Sequence, residues 1–104
     1  MPWFIKTERF TDETLNLSPA ERKQYLNKHC SWVNSLRGQG TKISSGYLIN
    51  EKKLAGGGGF LIFEAESFKE AKSIVEQDPM ISYGLVHWNL HEWVPIVGKL
   101  TILS

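Results

Sequence analysis

Two histidines stand four residues apart in HWNLHEW, residues 87 to 93, with a glutamate directly after the second. On a helix, that spacing would put both imidazoles on one face, the arrangement of a zinc site. The surrounding residues GLVHWNLHEWV instead predict a strand, with Val86, Trp88 and Leu90 on one face and Leu85, His87, Asn89, His91 and Trp93 on the other. At a rise of about 3.3 Å per residue the two rings sit about 13 Å apart. Zinc holds each of its nitrogens at about 2 Å, so no metal or other cofactor is expected, and the histidines are expected to line a sheet face. Two further groups invite a chemical reading. Cys30 could be a nucleophile, but as the one cysteine, in an apolar helix stripe, it reads as core. The glycine run at 56–59 could cradle a phosphate only if a helix followed. A strand follows, so the run reads as part of a mobile hairpin loop.

The elements that position these groups can be read in order. PWFIKTERF predicts a first strand over Trp3 to Arg9, and TDETLNL a loop. Ser18 then caps a long helix, with Pro19 at its first position and Glu21 completing a capping box, and Gly38 and Gly40 end it. Leu26, Cys30, Val33 and Leu36 are its expected buried stripe, with His29 and Trp32 along the margin. TKISSGYLIN and GGFLIFEAE are two strands joined by EKKLAGGG. Ser67 and Glu70 open a second helix whose buried stripe is Phe68, Ala71, Ile74 and Val75, and Asp78-Pro79 stops it. The order βαββαβ predicts a ferredoxin-like α+β fold, with a four-stranded antiparallel sheet and two helices on one face. Apolar residues mark both faces of the strands: Trp3 and Ile5 against Phe4 and Phe10, Phe60 and Ile62 against Leu61 and Phe63. The uncovered face is therefore expected to pack against a second copy, giving a homodimer.

Composition narrows the function classes. The 104 residues, 41% of them hydrophobic and twelve aromatic, fit a single domain over 1–104. Twelve basic residues against eleven acidic ones, with no dense Lys/Arg cluster, leave no footprint for nucleic acid. No stretch approaches the eighteen or so apolar residues of a membrane span, and the N-terminus MPWFIKTERF has no leader pattern. A single cysteine forbids an internal disulfide. A soluble cytoplasmic protein is the expectation.

Three stretches, HCSWVNSLRGQGTKISSGYL, FEAESFKEAKSIVEQDP and GLVHWNLHEWVPIVG, resemble the YCII-related (YciI-like) family in order and spacing, from about Trp3 to Gly98. The resemblance implies a dimeric α+β barrel and an active-site His/Asp pair, which falls by motif on His29 and Asp78. The family is similar to muconolactone-isomerase-like proteins and includes a dehydrochlorinase of a chlorinated hydroxyquinol. This chain has Gly46-Tyr47 where many members read Gly-Pro, and its loop from Thr11 to Leu17 is longer. A carboxylate that orients an imidazole is good acid/base chemistry. Each residue also has a structural reading, His29 as a satisfied histidine at a helix edge and Asp78 as a turn acceptor. Two functions follow: a lyase or isomerase acting on an unknown small molecule, or a non-catalytic dimeric module that binds a small ligand or a protein.

Overall fold

The computed structural model describes residues 1–100, so 101–104 of the expected domain lie outside the described residues. Four strands, β1 (Trp3–Phe10), β2 (Ile43–Ile49), β3 (Ala55–Glu64) and β4 (Val86–Trp93), form one antiparallel sheet in the order β2-β3-β1-β4. Two main helices, α2 (Pro19–Gly38) and α3 (Phe68–Val75), and two single-turn helices, α1 (Asp12–Leu15) and α4 (Pro79–Ser82), complete the chain. This is the ferredoxin-like arrangement that the alternation of patterns predicts.

Local sequence explains the helix boundaries. Ser18 accepts from the Glu21 N–H at 3.1 Å, and Glu21 accepts from the Ser18 N–H, which satisfies two otherwise orphaned donors. At the start of α3 the Ser67 hydroxyl accepts from the Glu70 N–H at 3.1 Å, one half of the same motif. The expected loop after β1 holds the one-turn helix α1 instead, because Thr11 caps it and the Thr14 hydroxyl ties it to the Leu85 carbonyl at 2.7 Å. Asp78-Pro79 likewise both stops and starts a helix: α3 has ended at Val75, and Pro79 takes the first position of α4 behind an Asp78 cap.

Two expected stripes are corrected. In α2 the buried residues are His29 and Val33, with Trp32 and Leu36 packed on the core, while Leu26 and Cys30 are exposed. The inward face is Tyr25, His29, Trp32, Val33 and Leu36 at the helical period, so Leu26 and Cys30 fall on the solvent side. In α3, Ala71 and Val75 are buried but Phe68 is largely exposed, its ring meeting Phe4 edge-on at 6.0 Å.

The glycine run belongs to the sheet, not to a mobile loop. β3 starts at Ala55, and the turn is only Asn50 to Leu54, where the Asn50 side chain accepts from the Lys52 and Leu54 N–H groups. Gly58 has φ +91°, and a Cβ there would stand 2.3 Å from the Glu8 carbonyl oxygen. At Gly59 a Cβ would meet Glu8 Cγ at 2.8 Å. These glycines are empty because the Glu8 side chain and backbone fill the space.

One sheet face carries the core. Phe4, Leu61, Phe63 and Ile43 pack with Val33, Ala65, Ala71 and Val75, and a second cluster joins Met80, Leu85 and Val86. The register puts Trp3, Ile5, Phe60, Ile62 and Trp93 on the opposite face, only partly covered within one chain. Gly58→Ala is expected to cost about 2–3 kcal/mol, from left-handed backbone strain and the clash with Glu8. Gly46→Ala, with nothing within 4 Å of the added carbon, is expected to stay within about 0.5 kcal/mol of the parent. Urea denaturation of the two variants measures both.

Candidate active site

The inward positions of β1 alternate Phe4, Lys6, Glu8, Phe10. Two charged residues thus stand in a row that is otherwise aromatic and faces the core. Lys6 is 1% exposed and Asp78 0%. Lys6 Nζ donates to Asp78 Oδ2 at 2.8 Å and also to Glu8 Oε1. Asp78 reaches this position from the turn between α3 and α4, where its Oδ1 also accepts the Met80 N–H at 3.0 Å.

α2 completes the group from above. The ring of His29, buried, places Nδ1 2.9 Å from Asp78 Oδ1 and Nε2 2.7 Å from Ser45 Oγ. The structure therefore brings the two predicted residues into direct contact, although 49 positions separate them in the chain. Burial by itself pushes the Asp78 carboxyl upward. The His29 hydrogen bond and the charge and hydrogen bond of Lys6 overcome that and hold it below its ordinary value of 3.8. With Asp78 an ionised acceptor, Nδ1 must be the protonated nitrogen. In the neutral ring, Nε2 then offers its lone pair to Ser45. Ser45 is exposed on β2, so the assembly runs from a buried carboxylate to a hydroxyl at the surface.

Lys6, Glu8 and Ser45 were not singled out by sequence, yet each left a signal. Lys6 and Glu8 are charged at the inward phase of an aromatic strand, and Ser45 is polar at the inward phase of Ile43, Ser45, Tyr47. Trp32 packs beside His29 with ring centroids 5.8 Å apart, its indole N–H buried without an acceptor. His87 and His91 lie exposed on the open sheet face, opposite Arg9 and Ile5. Among the described residues no group of three His, Cys, Asp or Glu side chains is placed to hold a metal ion, and no helix is long and apolar enough to cross a membrane. A concavity of about 390 Å³ lies at the end of the β2–β3 hairpin, lined by Ile49, Asn50, Leu54 and Ala55 to Gly57. Ile49 is four residues along β2 from Ser45, about 13 Å at strand rise, so this concavity is not the space beside His29.

Solved structures extend the picture. The chain is similar to 5-chloro-2-hydroxyhydroquinone dehydrochlorinase of Burkholderia phenoliruptrix, solved with 2,5-dihydroxybenzoquinone, at 26% identity and a TM-score of 0.65 over 88% of this chain and 93% of that one. A de novo designed protein, Ferredog-Diesel, matches at 15% identity and a TM-score of 0.56, over 88% of this chain and 84% of that one. An Arabidopsis thaliana protein matches at 13% and 0.53, over 96% and 100% of the two chains. The last two show the fold alone. No curated protein matches the chain. The model of the YCII-related domain matches residues 3–93, the whole of the sheet and both main helices, and the chain belongs to that family.

Proposed function

We propose that the protein is a small-molecule lyase or isomerase that moves a proton next to a carbonyl or phenolic group. The observation that carries this reading is the His29–Asp78 contact of 2.9 Å, with the carboxylate fully buried and the far ring nitrogen directed to an exposed hydroxyl. Asp78 orients the ring and stabilises the imidazolium that forms. His29 Nε2 takes the substrate proton, directly or through Ser45, and returns it at another atom. The similarity to a dehydrochlorinase of a chlorinated hydroxyquinol supports a cyclic, hydroxylated substrate. The lone cysteine and the absence of a basic patch fit a cytoplasmic setting without nucleic acid. A non-catalytic module that binds a small ligand or a protein is the second reading, favoured by a concavity that lies away from His29.

The functional unit is a homodimer formed through the open sheet face. The partly covered Trp3, Ile5, Phe60, Ile62 and Trp93 support it, since an apolar surface of that extent is usually covered. Light scattering at micromolar concentration is expected to return twice the mass of the chain. A stable monomer would refute the interface.

Proton transfer is tested by following hydrogen–deuterium exchange and turnover by NMR, on hydroxylated quinones and chlorinated hydroxyquinols. His29→Ala and Asp78→Asn are each expected to lower the rate by about 10²–10⁴-fold, with the double variant little worse than either. Additive losses would show that the two residues do not act as a unit, and a parent that neither exchanges nor turns over these compounds, or variants with no loss, would favour the binding module.

Asp78 also makes stability depend on pH. Its carboxyl is depressed in the folded chain, so its contribution is fully present above the ordinary carboxylate value of 3.8 and lost as pH falls through the lower folded value. At neutral pH, Asp78→Asn is expected to unfold about 2–3 kcal/mol more easily, because Lys6 keeps Glu8 but loses its deeper partner. The gap between variant and parent is expected to narrow below about pH 4, as read from urea midpoints across pH. A gap that stays constant through the acid range would show that the ionised form of Asp78 contributes nothing.

A further inference from the structure

Ser45 is placed for more than passing a proton. Its Oγ lies 2.7 Å from His29 Nε2, and His29 Nδ1 lies 2.9 Å from Asp78. The carboxylate is itself fixed by Lys6 Nζ at 2.8 Å and the Met80 N–H at 3.0 Å. A buried carboxylate, an imidazole in the tautomer it sets and an exposed hydroxyl on the other nitrogen are the parts that turn serine into a nucleophile.

A serine nucleophile also needs a donor for the oxyanion, and the strand pairing leaves the serine's own N–H free to serve. β2 is the edge of the sheet. The Glu64 N–H donates to the Lys42 carbonyl at 3.1 Å, which makes Lys42 and Glu64 a hydrogen-bonded pair at the start of a register that runs Ile43 to Phe63, Ser45 to Leu61 and Tyr47 to Gly59. Bonded and non-bonded pairs alternate along an antiparallel ladder. Ser44 and Gly46 therefore turn their backbone groups toward β3, whereas Ser45 and Tyr47 turn theirs outward past the edge. These outward N–H groups lie in the plane of the sheet, about 6.6 Å apart along the strand, so the Ser45 N–H, beside its own hydroxyl, is the one within hydrogen-bond reach of an oxygen on a carbon attached to Ser45 Oγ. An oriented backbone donor of this kind stabilises the charge that develops in acyl transfer.

We infer that Ser45 is the nucleophile of a second, ester-cleaving activity directed at small aryl or enol esters. The exposed setting of Ser45 suits a small acyl group, and a phenolate or enolate leaves with the least help. Ser45 Oγ attacks the carbonyl carbon while its proton passes to His29 Nε2, and the carbonyl electron pair moves onto oxygen at the outward Ser45 N–H. Collapse re-forms the carbonyl and breaks the bond to the leaving phenol or enol, which takes the proton from Nε2. Water then enters and gives a proton to Nε2. Its oxygen attacks the acyl-serine, and the carboxylic acid departs as Ser45 recovers its proton. Asp78 stays ionised throughout. This chemistry shares His29 and Asp78 with the proton transfer proposed above, but only this chemistry requires the Ser45 oxygen.

Phenylmethylsulfonyl fluoride and 4-nitrophenyl acetate test the inference on the full chain. Intact mass and peptide mapping are expected to show a single sulfonyl adduct on Ser45. Labelling should be absent in Ser45→Ala and slower by about a hundredfold or more in His29→Ala. Nitrophenolate is expected to appear in a burst close to one equivalent per chain, which Ser45→Ala removes. Parent protein that remains unlabelled, label on another residue, or labelling of folded His29→Ala at the parent rate would overturn the inference, with far-UV circular dichroism confirming the fold. The parent labelling decides the matter even if a variant fails to fold. Proton exchange without acylation would defeat this inference and leave the earlier reading standing, and acylation without exchange would do the reverse.

Discussion

Asp78 has no contact with solvent, and a carboxylate in that position must find a cation or lose its charge. Removing each ion from water costs several kcal/mol, and only close contacts on every available oxygen offset it. Asp78 obtains them from three parts of the fold: Lys6 on β1, His29 on α2 and the backbone of Met80 in α4. The orientation of α2 is consistent with this requirement. Tyr25, Trp32, Val33 and Leu36 share the inward face with His29, so the hydrogen bonds of His29 to Asp78 and Ser45 act together with that packing, and Leu26 and Cys30 stay in solvent.

The same constraint reaches the far side of the sheet centre. Lys6 sits between two carboxylates, Asp78 and Glu8, and its position depends on both. Glu8 needs room beside β3, and glycine at 58 and 59 provides it: a side chain at either position would occupy the space of the Glu8 backbone or of its methylenes. A run that would weaken an ordinary strand is thus tolerated, because the loss of side-chain packing is repaid by a fixed charge network.

Much of this architecture was legible in the residues themselves. Alternation marked the strands, the serine caps marked both main helices, and their order pointed to the ferredoxin-like fold. The His29–Asp78 pair came from resemblance to a family, since nothing local in the chain links residues 49 positions apart. Three features were hidden for physical reasons. The inward turn of α2 depends on partners that only the folded chain supplies. The glycine run has a backbone role that shows only once Glu8 lies across it. Lys6 and Glu8 read as surface charges by type, and only their phase along β1 betrays them. The short helices α1 and α4 were lost because single turns are held by one cap and one tertiary bond each, as Thr11 and Thr14 do for α1, and leave no periodic pattern.

The location of the site within the sheet is itself informative. Charge is concentrated on the central strand β1, where Lys6 is held between neighbours on both sides. The Ser45 hydroxyl is at the margin, on β2, where one side of the strand carries no partner among the described residues. Central strands exclude water and keep the Lys6–Asp78 attraction strong, which a surface pair would lose to screening. An edge strand leaves its outward backbone donors free for a substrate, at the risk of pairing with another chain. Asp78 and His29 bridge these regions, carrying the influence of a buried charge to a group that can meet a substrate. A rigid, dry anchor and an open edge are hard to obtain on a single strand, and His29 on α2 is the element that joins them.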